Sequence, residues 1–134
     1  MLNDGTDFID IIITAGPSDS FLSAVRRNGK FEFLLCNWGA DYSDPETETD
    51  PFYQAEDSRG MRYAYLRTGV EDGFITGETA DAVMAYMNAI EAAKQITDDI
   101  DARYKAFADA EALLINTELV IPRGISVPAY LATR

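Results

Sequence analysis

The chain has 134 residues, 23 acidic against 11 basic, for a net charge of −12, and it has no histidine. That balance excludes nucleic acid, whose condensed counterions must be replaced by protein cations, and it disfavours an anionic membrane surface. The absence of histidine removes the commonest general base and the commonest transition-metal ligand, while a hydrophobic content of 47% predicts a folded domain rather than a disordered chain.

In chain order, residues 7–14 (DFIDIIIT) read as a buried strand. Gly16-Pro17-Ser18 makes a turn, and Ser18 or Asp19 caps a helix through SFLSAVRRNG that ends at Asn28-Gly29. Residues 30–37 (KFEFLLCN) form a second predicted strand. Strand, helix, strand over about 30 residues is a βαβ unit with parallel strands. Ligands of open α/β sheets sit beyond the carboxyl ends of strands, which is where residues 38–41 would fall. The stretch 43–76 reads as irregular, with a short helical turn over 51–56 and an aromatic strand or packed loop over 61–66.

Two helices are then predicted. The first runs from Glu78 to about Gln95 with Val83, Met87 and Ile90 on one face and Met84 beside them. The second starts at Thr97 or Asp98 and carries Ile100, Tyr104, Phe107, Ala108, Leu114 and Ile115 on a broad apolar face. Residues 118–122 and 125–133 close the chain as edge or bent strands, because Pro122 and Pro128 interrupt regular pairing. The expected fold class is therefore α/β: a βαβ unit, two further helices and C-terminal strands on a mixed sheet.

The chemistry-bearing residues concentrate after Trp38, where Asp41, Asp44, Glu46, Glu48 and Asp50 follow within a short span. Counted from Asp41, an EF-hand would need Gly at its sixth position and Glu at its twelfth, but Glu46 and Phe52 stand there. Paired carboxylates could serve glycoside hydrolysis, yet no spacing marks such a pair. Histidine-dependent triads are impossible, and GVEDGFITGE lacks the Walker lysine and the dinucleotide spacing. Cys36, in an apolar pattern, reads as a small core hydrophobe. Asp41 has two readings: a turn residue accepting backbone hydrogen bonds, or a buried or half-buried anion that receives an ammonium. No catalytic residue, metal ligand or cofactor is assigned. No apolar run has membrane-spanning length, and no basic, apolar, small-residue leader opens the chain.

Residues 37–52 (NWGADYSDPETETDPF) resemble the signature segment of extracytoplasmic oligopeptide-binding proteins, the solute receptors of ABC importers. The match is Trp-Gly-Ala-Asp-Tyr at 38–42 and Pro45, with Asn37 where Gly is usual. Residues 102–131 are similar to the family's late helix, with Ala-Glu before a Leu pair, and to the Val-Ile-Pro strand that follows it. The resemblance implies a periplasmic-binding-protein-like lobe, residues 1–134 being one partial domain, the distal part of the C-terminal lobe. It implies non-enzymatic capture of an extended peptide between two lobes and delivery to an ABC permease, in an extracytoplasmic setting. By the same likeness Asp41 takes the α-ammonium of a free-amine peptide, the backbone of Asn37 and Gly39 pairs with the peptide main chain, and Trp38 lines a side-chain pocket. Tyr63 and Tyr65 are pocket-lining or packed aromatics. The remaining acids read as solvated loop. The same scaffold can carry a metal chelate, haem or a sugar. A stand-alone acidic α/β interaction domain is the further alternative.

Overall fold

The computed structural model describes residues 10–35, 37–53 and 65–124. They fall into two compact units that divide between Cys36 and Asn37.

In the first unit the only helical element among the described residues is one π-helical turn, Leu22–Arg26. It starts from Ser20, whose carbonyl accepts from the amides of Ser23 and Ala24. Its end is where Asn28-Gly29 predicts it. The Gly29 amide donates to the Arg26 carbonyl and the Lys30 amide to that of Val25, with Gly29 at φ 61°. This is the Schellman arrangement, which needs a left-handed residue that glycine supplies without a Cβ clash.

In the second unit the elements are α1 (Glu46–Thr49), α2 (Leu66–Glu71), α3 (Gly77–Lys94) and α4 (Ile100–Asn116). α3 has the acidic Glu78 in its first turn and the basic Lys94 in its last, both favourable to the helix dipole. α4 opens on Asp99, whose carboxylate accepts from the Ala102 amide at 2.9 Å. Asp99 thus takes the capping role expected of Thr97 or Asp98. The four residues between Lys94 and Asp99 turn the chain, so α3 and α4 pack as a hairpin; α2 lies on α3 and α1 against α4.

The core follows the helical period. Val83, Tyr86, Met87, Ile90 and Ala93 of α3 meet Phe107, Ala110 and Leu114 of α4, and Tyr53 and Leu66 complete the cluster. Met87 is core, as the periodicity predicts. The apolar face of α4 is narrower than expected. Phe107 and Leu114 are buried, whereas Ile100 is 70% exposed, Tyr104 50% exposed, and Ala108 and Ile115 also face out. The buried arc instead passes over Arg103, a residue that hydropathy places outside.

The expected α/β fold is not what the chain adopts: the described residues contain helices and no strand. Residues 10–14 of the first predicted strand, 30–35 and 37 of the second, and the whole of 118–122 are irregular. The reason is that β structure is a property of pairs. A helix closes its own backbone hydrogen bonds, but an apolar run becomes a strand only beside a neighbour that accepts its ladder. Among the described residues these runs form no ladder, and several of their apolar side chains are exposed, Ile12 by 81% and Phe33 by 77%, while Val120 packs against the helical core. The βαβ unit and mixed sheet are accordingly absent from the described residues. Of the helical turn expected over 51–56, residues 51–53 are not helical and 54–56 lie outside the described residues; a short helix, α1, stands upstream. Of the aromatic strand or packed loop expected over 61–66, Tyr65 is irregular, Leu66 begins α2, and 61–64 lie outside the described residues. Cys36, Tyr63 and residues 125–133 lie outside the described residues.

Candidate functional site

The segment 37–53 is a folded turn rather than the rim of a sheet. Asp44 begins it. Its side-chain Oδ1 accepts from the Glu46 amide at 2.9 Å and its carbonyl from the Thr47 amide at 3.1 Å. Pro45, which fixes φ near the helical value and needs no donor at a helix start, precedes α1. α1 places Thr47 inward, 2% exposed. Two groups of residues 38–41 converge on that residue. The Trp38 indole Nε1–H donates to the Thr47 carbonyl at 2.7 Å, and the Asp41 amide donates to the Thr47 hydroxyl at 3.0 Å. Trp38 is thereby half-buried, while Asn37, Gly39, Asp41 and Tyr42 are exposed, so Asp41 is not the buried or half-buried anion that the sequence reading expects of an ammonium receptor. A Cβ built on Gly39 would meet nothing within 4 Å, so packing within the chain does not require glycine there.

Behind the turn stands an ionic brace. Arg103 of α4 donates through Nε and Nη2 to the two oxygens of Asp44, both at 2.9 Å, and through Nη2 to Glu46 at 3.0 Å. Its Nη1 reaches the carbonyls of Ala93, Lys94 and Ile96 at the end of α3, and its guanidinium lies over the Phe107 ring. Lys94 completes the pair of cations, 2.9 Å from Glu46 and over the ring of Tyr53, whose hydroxyl donates to Glu91. The Arg103 hydrogen bond holds the Asp44 carboxyl below the usual carboxylate range, and in return Asp44 raises the guanidinium's pKa. Asp50 moves the other way. Burial pushes its carboxyl up, and Glu46 and Asp41 add to this against the hydrogen bond from Tyr42 and the charge of Lys94. Tyr42 is pushed up to about 12, first by partial desolvation of its hydroxyl and then by the charge of Asp50, to which that hydroxyl donates at 3.2 Å.

The structure therefore brings Trp38 and Asp41 together on one support and leaves Asn37 and Gly39 in irregular, exposed backbone. Tyr65 is half-buried just before α2. The acids after Asp41 are not uniformly solvated: Asp44 and Glu46 are the anions of the brace. Thr47, Arg103 and Lys94 are missed by the sequence reading. The local signal was Asp44-Pro45-Glu46, an acidic residue and proline at a helix start. Nothing local marks Arg103. Among the described residues no group of three or more acidic or cysteine side chains is arranged to hold a metal ion, and no helix is long and apolar enough to cross a membrane.

The geometry defines a turn anchored from behind, with the Asp41 carboxylate exposed beside the half-buried Trp38. Comparison with protein-family models, with curated proteins and with solved structures finds no match.

The Thr47 hydroxyl gives a direct test of the anchor. Thr47→Val keeps the shape but removes the acceptor of the Asp41 amide, and is expected to cost about 1 kcal/mol. Urea denaturation measures the loss, and the Asp41 amide should exchange with solvent faster in the variant. The Trp38 hydrogen bond goes to the main chain, so the indole should remain protected.

Proposed function

We propose that this chain is a ligand-holding part of an oligopeptide receptor of an ABC importer, acting by non-catalytic capture, with Asp41 as the receptor of the peptide α-ammonium. The supporting observation is the division of labour within residues 37–50. Thr47 fixes the backbone of Asp41 and the indole of Trp38, yet the Asp41 side chain stands in solvent. A turn residue of purely structural purpose would direct its carboxylate at nearby amides, as Asp44 does. The open space around Gly39 adds to this, since a smooth approach to the main chain is what a peptide pairing with it needs. The likeness of residues 38–42 to the receptor signature supplies the ligand class.

An ion pair at an exposed carboxylate contributes only about 0.2–1 kcal/mol, so this chain alone should bind free-amine peptides no more tightly than the millimolar range. In nuclear magnetic resonance titrations a free-amine tripeptide should shift the Asp41 amide and the Trp38 indole resonances. Its N-acetylated counterpart should not, and Asp41→Asn should abolish the response. Equal responses to the two peptides would sink the assignment of Asp41. Micromolar binding by calorimetry would contradict the view that a second surface is needed to complete the site.

A further inference from the structure

We propose that Arg103 is the positioning residue of the Trp38–Asp41 turn, an assignment that rests on the receptor reading for its purpose but not for its geometry. Arg103 touches neither residue in any hydrogen bond described above. It acts through two relays. The first runs from the guanidinium to Asp44, both of whose oxygens it engages, and from Asp44 to the start of α1 by way of the Glu46 amide. The second runs through Glu46, held jointly by Arg103 and Lys94. Both end on the four-residue α1, and α1 carries Thr47, on which the Trp38 indole and the Asp41 amide converge.

A helix that short has no stability of its own, because nucleation is unfavourable and only propagation rewards it. Something outside must therefore set its position. The brace does so from the rigid side: the remaining guanidinium nitrogen is fixed by three carbonyls at the end of α3. The planar fork matters as much as the charge, since an ammonium cannot meet both Asp44 oxygens and the α3 carbonyls at once. The α3–α4 hairpin thus serves as the platform from which the angle between the indole and the Asp41 backbone is set.

Trp38 is the sole tryptophan of the chain, so its indole N–H gives one resolved resonance as a reporter. Asp44→Asn and Arg103→Lys are each expected to move that resonance and to raise its solvent exchange roughly five- to tenfold, the effect of weakening one relayed hydrogen bond. The far-UV helical signal of α3 and α4 should persist in both. Val83→Ala, which removes core volume nearer the start of α3, should leave the indole resonance where it is. In the same samples the response of the Asp41 amide to a free-amine tripeptide should weaken in the two brace variants and not in Val83→Ala. An indole unmoved by both brace variants, or moved equally by Val83→Ala, would overturn the proposal. A wild-type chain that ignores amines, with an indole that still answers to both brace variants, would sink the receptor reading and leave the bracing supported.

Discussion

Replacing Tyr86 with alanine is expected to lower the unfolding free energy by about 3–5 kcal/mol, and replacing it with phenylalanine by about 1 kcal/mol. The ring lies fully buried at the middle of α3, among the residues that face α4. Its removal leaves a cavity that helices on two sides cannot close without giving up contacts to each other. The hydroxyl has a separate task. It donates to the Thr49 carbonyl at 3.2 Å, which ties the last turn of α1 to the core. Domains of this size are stable by roughly 5–15 kcal/mol in all, so the alanine variant should lose a large fraction of its stability and the phenylalanine variant only a small one. Burial also raises the phenol's pKa. A raised folded value means that this group's share of stability is intact below about pH 10, the unfolded value, and is lost as pH rises beyond it. The phenylalanine variant should therefore lose stability less steeply than wild type in alkali. Equal costs for the two substitutions, measured by urea denaturation, would show that the hydroxyl and not the ring dominates.

The same residue illustrates what the sequence could disclose. α3 was readable to within a residue at either end, because a helix is specified by neighbours three and four apart and by charges at its own ends. The stop at Asn28-Gly29 was equally local. The strands were not readable in this sense. Ile11, Ile12 and Ile13 have the composition of a strand, but composition does not supply a ladder, and the α/β expectation inferred a sheet from runs that form no strand among the described residues. The apolar face of α4 went astray for a related reason. Periodicity identified a stripe from Ile100 to Ile115, but only packing against α3 decides which arc of that stripe is covered.

In the site, Trp38 and Asp41 could be singled out because the unusual residue and the carboxylate adjoin. Thr47 was within reach, being only 9 residues from Trp38, but a threonine in an acidic run carries no pattern that distinguishes it. Arg103 lies 59 residues from Asp44, and its pairing depends on a hairpin angle that no local rule fixes. The acids of residues 44–50 look like a solvated stretch when counted and divide when placed, with only Glu48 exposed. Asp44 and Glu46 are neutralised. Asp50 is crowded by burial and by the charges of its own loop.

Arg103→Ala is expected to cost about 2–3 kcal/mol, between the small value of an exposed ion pair and the 3–5 kcal/mol of breaking a fully buried one. The Arg103 side chain is 15% exposed, and Asp44 and Glu46 are 29% and 24% exposed. Solvent thus screens the orphaned carboxylates only in part, and the three carbonyls at the end of α3 lose a donor at the same time. Arg103→Lys should recover a portion of the loss, since charge returns without the fork. The pH dependence separates the carboxylate share from the rest. Asp44 has a depressed folded pKa, so its contribution is complete above about pH 4, the unfolded value, and is lost as pH falls through the folded one. Asp50 has a raised folded pKa and acts in the opposite sense, its cost relieved on acidification, but this is common to wild type and variant and cancels in the comparison. The stability difference between wild type and Arg103→Ala should therefore be greatest near neutrality and shrink below about pH 3. A difference that stays constant from neutral to acid pH would place the action of Arg103 in the α3 carbonyls and the Phe107 ring, with no net contribution from the pair with Asp44.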